Sequence, residues 1–214
     1  MGGGDGIRFA DLAELDPARD GSCGGKAAGL ARLRGAGGRI PGGFAVEATT
    51  RSPASWSGRD REEFIRRSLR MLERGPVAVR SSALVEDASD RSYAGLFESG
   101  LDLADVESVL AAAGRTIASG ASERVRAYAA TDAPLPVGLV VQSMVAARAA
   151  GVAFTRDPGG RDGAIVIEAV RGAGEALVSG HAQPDRWRLY RSGLGGWEAR
   201  REAGPGIAGA AAAR

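Results

Sequence analysis

Three short runs of apolar residues limit most strongly how this chain can fold. They are GPVAVRSS from Gly75, LPVGLVVQSMV from Leu135 and GAIVIEAV from Gly163. Short apolar runs of this kind, bounded by turn or polar residues, are typical of strands buried within a sheet. A continuous run of roughly 18 apolar residues, which a membrane helix needs, does not occur in the sequence. The chain is therefore predicted to fold around buried strands, with no membrane partner.

Helical spacing of apolar residues separates these strands. The predicted helices span residues 26–34, 61–74, 104–118 and 122–130. Further strands are predicted at residues 44–48, 150–155 and 187–190, and a polar loop at residues 48–60. Strands that alternate with helices predict an α/β or α+β domain.

The charge pattern argues against a nucleic-acid partner. Apolar residues make up 44% of the 214-residue chain and charged residues 25%, which is ordinary for a soluble globular protein. The formal net charge is +2, and the arginines are interspersed with acids, as in RDREEFIRR. A nucleic-acid-binding surface needs basic residues clustered on one face, so these charges are interpreted as solvated helix surfaces.

The single cysteine and single histidine exclude several kinds of site. Cys23 alone allows no intramolecular disulfide and no cluster of cysteine ligands, and it is interpreted as a small filler rather than a nucleophile. His181 lies in a polar turn and is interpreted as a surface residue. The first 15 residues carry acids where a signal peptide needs a positive end and an apolar run. These features predict a cytoplasmic location.

The stretch GSCGGKAAGL contains Lys26, the only lysine among 28 lysine and arginine residues. A lysine ammonium is a compact point charge, whereas a guanidinium is a bulky planar fork, so a tight phosphate pocket can favour lysine. Glycines before a helix also present free backbone N–H groups to a phosphate. The alternative is chance retention of one lysine in a chain that favours arginine. The stretch does not match the Walker A pattern, because it has Asp20 and Ala27 where that motif needs Gly and Ser or Thr.

The stretch VAVRSSALVEDASDRSYAGLFES carries Arg80 at the end of a buried strand. An arginine there can clamp a phosphate through paired N–H bonds. The small residues Ala94 and Gly95 beside Ser92 can fold their amides over a polyphosphate. The alternative is a plain hairpin in which Arg80 pairs with a nearby acid such as Glu86.

The segment Gln142-Ser143-Met144-Val145 connects two apolar strands. A connection between lobes that contains an adaptable methionine can form an adenine pocket, where backbone groups recognise the edge of the base. The alternative is that Met144 is simply part of the core.

Two carboxylates of the second half are candidate magnesium ligands. Glu168 follows a buried strand, and Glu175 follows a glycine turn. Carboxylates near a phosphate site can hold Mg²⁺. The alternative is that they cap the next helix or pair with arginines.

Four stretches, taken together and in order, resemble one protein family. It is the N-terminal nucleotide-binding domain shared by phosphoenolpyruvate synthase, pyruvate phosphate dikinase and the rifampin phosphotransferases. The resemblance spans roughly residues 21 to 190. The resembling stretches are GGKAAGLARL with IPGGFAV, VAVRSSALVEDASDRSYAGLFES, VVQSMV with AGVAFTRDP, and IEAVRGAGEALVSGHAQPDRW. The resemblance implies an ATP-grasp fold, in which two lobes close on ATP and Mg²⁺.

The resemblance also implies functions for individual residues. Lys26 and Arg80 would contact the nucleotide phosphates and carry the phosphoryl-transfer chemistry. The remaining implied residues cover the phosphates or border adenine, and they are Ser92, Ala94, Gly95, Gln142, Met144 and Val145.

The sequence departs from the family after the PDRW stretch. There the family continues with an acidic motif, a Q-x-R-P-like motif, a phosphohistidine domain and a phosphoenolpyruvate-binding barrel, none of which this sequence contains. The resemblance therefore implies the ATP-binding component of a phosphotransferase, incomplete at its C-terminus and completed by a partner chain. The alternatives are a non-catalytic nucleotide-binding or scaffold module, and a truncated gene product.

The predicted organisation is a loose segment at 1–20, a first lobe at 21–136, a second lobe at 137–203 and a disordered tail at 204–214.

Overall fold

The computed structural model of the chain describes residues 6–16, 18–84, 96–157, 163–193 and 195–204. The chain divides into two compact units, Met1–Met144 and Val145–Arg214. The predicted phosphate loop with Ser92, Ala94 and Gly95 lies outside the described residues, as does the predicted tail beyond Gly204.

The first unit is an antiparallel sheet with helices packed on it. Its described elements are β1 Phe9–Asp11, α1 Gly25–Gly35, β2 Gly43–Thr49, α2 Gly58–Leu72, β3 Val77–Ala83, β4 Ser99–Leu103, α3 Val106–Ala118, α4 Glu123–Ala129 and β5 Val137–Ser143. The strand order is β1-β2-β5-β3-β4, and every neighbouring pair is antiparallel. The last strand in sequence, β5, therefore lies at the centre of the sheet.

The sheet of the first unit is buried on both faces, which explains its continuous apolar runs. Val77 and Val79 of β3 pack on the side of α2 and α3, whereas Val140 of β5 packs on the side of α1. The α2 and α3 side consists of Ile7, Phe44, Val46, Trp56, Phe64, Val77, Val79, Val109, Ala112, Ala113, Ile117, Leu139 and Val141. The α1 side consists of Ala10, Leu12, Leu15, Cys23, Ala27, Ala31, Ala45 and Val140. A third cluster, around α4, consists of Ala83, Phe97, Val125 and Val137. Since successive strand residues point to opposite faces, a strand covered on both sides needs apolar residues at consecutive positions.

The helices of the first unit begin in two different ways. Ser57 caps α2 by accepting a hydrogen bond from the Asp60 amide at 3.1 Å, and Asp105 caps α3 by accepting one from Ser108 at 2.7 Å. These are the residue types that satisfy the free N–H groups of a first turn. Helix α1 instead begins after Gly24, which has no side chain to cap it. Its cap comes from another part of the chain.

The second unit is a smaller antiparallel sheet. Its described elements are β6 Ala149–Phe154, β7 Ala164–Arg171, α5 Glu175–Val178, β8 Asp185–Arg191 and β9 Trp197–Ala203, with the strand order β6-β7-β8-β9. Arg188 of β8 is nearly buried and is paired with Asp157 and Glu202. Arg188 donates hydrogen bonds to the carboxylates of Asp157 and Glu202, and these bonds, the one to Asp157 first, raise the pKa of Arg188 above its usual range. These ion pairs connect β8 to β9 and to the segment that follows β6.

The predicted α+β class is confirmed, because the structure mixes helices with antiparallel sheets. The organisation differs from the prediction at two points. Strand β5 was assigned to the second lobe, but it pairs with β2 and β3 in the first sheet, and the division falls after Met144. The segment 1–20, predicted to be loose, contains β1, which pairs with β2.

Three strands and one helix start were not predicted. Strand β1 has only three residues, and β4 is mostly exposed and contains Asp102 at φ 53°, so neither shows an apolar run. Strand β9 has the sequence WEARREA, in which charges dominate. Helix α2 begins at Gly58, within the predicted polar loop. In the described parts of the chain, no helix combines the length and the apolar character that crossing a membrane requires.

Candidate functional site

The glycine turn before α1 is pressed directly against strand β3. Gly24 has φ 84° and ψ 177°, a conformation that L side chains rarely adopt. A Cβ atom at Gly24 would lie 1.7 Å from the carbonyl oxygen of Ser82. The backbone of the turn and the backbone of β3 can therefore approach this closely only because residue 24 is glycine.

A second glycine allows the same contact from strand β5. A Cβ atom at Gly138 would lie 2.6 Å from the Ser82 carbonyl oxygen and 2.7 Å from the Cys23 carbonyl oxygen. The backbones of Gly24 and Gly138 thus both lie close to the Ser82 carbonyl. The sequence pattern assigns no structural function to Gly138, because this glycine lies within the apolar run LPVGLVV.

The two serines of β3 bind the first turn of α1. The Ser82 hydroxyl accepts a hydrogen bond from the Ala27 amide at 3.0 Å, and Ser82 is fully buried. The Ser81 hydroxyl accepts one from the Lys26 ammonium at 3.2 Å. A serine hydroxyl that accepts from the third amide of a helix is the usual N-cap interaction. Here it is supplied across the fold, by a residue 55 positions away in the sequence.

Lys26 and Arg80 line one cavity of about 250 Å³ in the first unit. Its lining consists of Lys26, Gly29, Leu30, Leu33, Arg80 and Val140. Arg80 is exposed, although its strand neighbours Val79 and Ser81 are buried. The two cations therefore converge on an open space beside an apolar wall. Such a site suits an anion attached to a less polar group.

A larger cavity of about 910 Å³ lies between the N-terminal segment and the start of α2. Its charged lining includes both acids and arginines, and Glu63 and Arg66 are paired with each other. The hydrogen bonds from Arg66 and Arg67 outweigh burial and lower the pKa of Glu63. The smaller cavity is the stronger candidate site, because its two charged lining residues are both cations.

Asp20 and Cys23 lie directly before the glycine turn in the sequence, and both are buried. Asp20 is buried and accepts hydrogen bonds from the Asp16 amide at 2.8 Å and from the Arg8 guanidinium. Burial alone would raise the pKa of Asp20, but these bonds and Arg19 lower it below its usual value. Burial, and then the nearby charge of Asp20, raises the pKa of the Cys23 thiol to about 11. Cys23 is therefore protonated at neutral pH, which agrees with its interpretation as a filler.

The predicted adenine segment crosses the division between the two units. Met144 is the last residue of the first unit and Val145 the first of the second. Gln142 is buried and donates its side-chain amide to the Pro41 carbonyl at 3.2 Å. The Met144 amide donates to the Pro76 carbonyl at 2.9 Å. A base bound at this segment would therefore be recognised by groups other than the Met144 amide.

The candidate magnesium ligands lie in the second unit. Glu168 accepts a hydrogen bond from the Arg186 Nε at 2.7 Å, and Glu175 is exposed in the first turn of α5. Among the described residues, no three or more His, Cys, Asp or Glu side chains form a group that could hold a metal ion. The pairing of Glu168 with an arginine is the alternative left open by the sequence.

The structure thus brings together Lys26 and Arg80, which the sequence connects only through the family resemblance. It adds Ser81 and Ser82, to which the sequence assigned no function. Two adjacent hydroxyls shortly after the apolar run VAV were the available signal, since buried hydroxyls need a hydrogen-bond partner, and both lie within β3.

Comparison with known proteins gives the family. Residues 58–204, more than half of the chain, match the model described as the pyruvate phosphate dikinase, AMP/ATP-binding domain. The chain belongs to this family. The pyruvate phosphate dikinase match includes Arg80 and the segments around Met144 and Glu168, whereas Lys26 lies before the matched range.

Several curated relatives of this dikinase-type domain are known. A rifampicin phosphotransferase from a Streptomyces species is 41% identical over 53% of the chain, and a phosphoenolpyruvate synthase from Aeropyrum pernix is 38% identical over 58%. A rifampicin phosphotransferase from Streptomyces sviceus is 32% identical over 84% of the chain. The matched regions span 14%, 16% and 26% of the lengths of these three relatives, respectively. The family points to the ATP-binding domain of phosphotransferases of this type.

Proposed function

We propose that this chain is the ATP-binding component of a phosphotransferase of the dikinase type. The observation that carries the proposal is the convergence of Lys26 and Arg80 on one cavity of about 250 Å³. These two cations come from different elements, α1 and β3, and both precede the strand that completes the sheet. In this proposal they bind the phosphates of ATP.

The two cations suit different parts of a polyphosphate. Lysine supplies a compact charge that can approach a single oxygen, whereas arginine can bind two oxygens of one phosphate at once. Phosphoryl transfer depends mainly on positioning and on neutralising charge, which such residues provide. The apolar part of the cavity wall, Leu30 and Leu33, then faces the less polar part of the nucleotide.

The remaining predicted contacts complete the proposed ATP-grasp site. Ser92, Ala94 and Gly95 would cover the phosphates, and Gln142, Met144 and Val145 would border adenine. Bound Mg²⁺ would neutralise additional phosphate charge. Carboxylates are the ligands that Mg²⁺ prefers, but Glu168 is held by Arg186 and would have to leave it to bind a metal.

The phosphoryl acceptor is proposed to bind outside this chain. We propose that a partner chain supplies the phosphohistidine and acceptor functions in the cytoplasm. The alternative, a non-catalytic nucleotide-binding or scaffold module, would bind ATP but never transfer its phosphate.

Calorimetric titration of the 214-residue chain with Mg-ATP tests the phosphate contacts. Lys26→Ala and Arg80→Ala are each expected to weaken binding about 10-fold or more, because each removes a charged hydrogen bond worth about 1.5–3 kcal/mol. Arg124→Ala is the matched control, because Arg124 is exposed on α4 and does not line the cavity.

The outcomes separate the possibilities. Unchanged affinity in both Lys26→Ala and Arg80→Ala would contradict the proposed site. A folded chain that binds no Mg-ATP would show that this chain is not an ATP-binding component by itself. Binding without phosphoryl transfer, when the phosphohistidine domain of a relative is added, would favour the non-catalytic module.

A further inference from the structure

We propose that Ser81 is a positioning residue for Lys26, holding its ammonium at the phosphate-binding cavity. This inference rests on the proposed function, and it adds a residue to which the family comparison and the sequence assign no function. Its basis is the hydrogen bond from Lys26 Nζ to Ser81 Oγ at 3.2 Å.

The backbone beneath Lys26 is fixed before its side chain is considered. Gly24 lies against the Ser82 carbonyl, and the Ala27 amide donates to the Ser82 hydroxyl. Lys26 lies between these two contacts. Its Cα position is therefore set by strand β3, 55 residues further along the chain.

The side chain of Lys26 is then held by the neighbouring hydroxyl. A lysine side chain has several rotatable bonds and loses much rotamer freedom when it is held in one position. Ser81 has a short side chain, is 2% exposed and lies within a paired strand, so its hydroxyl is a fixed acceptor. The hydrogen bond thus restricts the flexible ammonium before a ligand arrives.

One rigid strand consequently sets the spacing of both cations. Arg80 and Ser81 are consecutive residues of β3, and both are paired with β5, at Val140 and Leu139. Arg80 contributes one charge directly, and Ser81 holds the other. A site restricted in this way loses less freedom on binding a polyphosphate than two independently mobile side chains would.

The binding test is a double-mutant cycle with Mg-ATP on the full chain. Ser81→Ala is expected to weaken binding about 5-fold, which corresponds to one hydrogen bond. In a Lys26→Ala background, Ser81→Ala should leave the affinity for Mg-ATP unchanged, because the effect of Ser81 on binding depends on Lys26. Ser81→Thr, which keeps the hydroxyl, should retain most of the affinity. An equal loss in both backgrounds would overturn the proposal.

A second measurement follows the lysine directly and needs no ligand. Because Lys26 is the only lysine, selective ¹³C-lysine labelling gives the signals of one side chain, so none can be confused with another lysine. Wild type is expected to show two distinct Hε resonances, as a restricted methylene does. Ser81→Ala should reduce the chemical-shift difference between them while the thermal midpoint and circular dichroism stay close to wild type. An Hε chemical-shift difference that stays at its wild-type value in a folded Ser81→Ala variant would overturn the proposal.

The two measurements distinguish this inference from the proposed function. If Lys26→Ala binds Mg-ATP with the affinity of wild type, the proposal that Lys26 binds a phosphate is rejected. That conclusion does not depend on the results for Ser81→Ala. If Lys26→Ala loses affinity but Ser81→Ala keeps it and keeps the wild-type Hε chemical-shift difference, only the positioning inference fails. A wild-type difference that Ser81→Ala reduces supports positioning of the lysine even without nucleotide.

Discussion

Two glycines of the lysine turn and its helix have opposite structural requirements. A Cβ atom at Gly24 would collide with the Ser82 carbonyl, and Gly24 also has φ 84°. Gly29 lies inside α1, and beyond the adjacent backbone of that helix no described atom would lie within 4 Å of a Cβ atom there. Glycine is thus required by packing at position 24, whereas at position 29 it lowers the stability of the helix.

Substitution by alanine should separate these two cases. Gly24→Ala is expected to lower the free energy of unfolding by about 3 kcal/mol, because of backbone strain and a collision that neither strand nor turn can avoid. Gly29→Ala should raise it by about 0.5–1 kcal/mol, as expected for a helix interior. Urea denaturation monitored by circular dichroism measures both. A Gly24→Ala variant as stable as wild type would contradict the close contact of the turn with β3.

At the scale of elements, α1 depends on a cap that its own sequence does not contain. Helices α2, α3 and α4 have Ser57, Asp105 and Ser122 as local N-caps. Helix α1 has Gly24 at that position and receives its cap from Ser82 of β3. The start of α1 therefore forms only when the strand is in place.

Removing the cross-fold cap should lower the free energy of unfolding more than removing a local cap. Ser82→Ala is expected to lower the free energy of unfolding by about 2 kcal/mol, since it leaves the buried Ala27 amide without its serine acceptor. Ser122→Ala, the matched control, removes a half-exposed local cap and should cost about 1 kcal/mol or less. Equal costs, measured by chemical denaturation of both variants, would argue against the cross-fold cap.

The elements themselves were largely predictable from periodicity. Helices α2 and α3 have apolar residues at helical spacing, and β3, β5 and β7 have continuous apolar runs. Strands β1 and β4 were missed because they are short edge strands, and β9 because it is rich in charges. The position of β5 was also missed, since an apolar run shows that a strand is buried but not which neighbours it pairs with.

The two units of the whole molecule differ in how much core they possess. The first unit has clusters on both faces of its sheet. Among the described residues of the second unit, the buried apolar side chains are Ala164, Val166 and Val170. A small sheet with so little buried apolar surface is marginally stable by itself.

Separate expression of the two units tests this difference. The fragment of residues 1–144 is expected to unfold cooperatively on heating and to give a dispersed NMR spectrum. The fragment of residues 145–214 is expected to show neither property. Circular dichroism melting and proton NMR of both fragments provide the measurement. A cooperative transition in the shorter fragment, or none in the longer one, would contradict this assignment of stability.

The sequence by itself determined the fold class and the family, and it predicts Lys26 and Arg80 as the phosphate-binding cations. These follow from local patterns: apolar periodicity predicts elements, and motifs in a fixed order indicate a family. Only the tertiary structure decided that β5 is the central strand of the first sheet, that Ser82 caps α1 and that Ser81 binds Lys26. Each of these contacts joins residues far apart in the chain, and such contacts depend on how strands are ordered in the sheet, which local patterns do not specify.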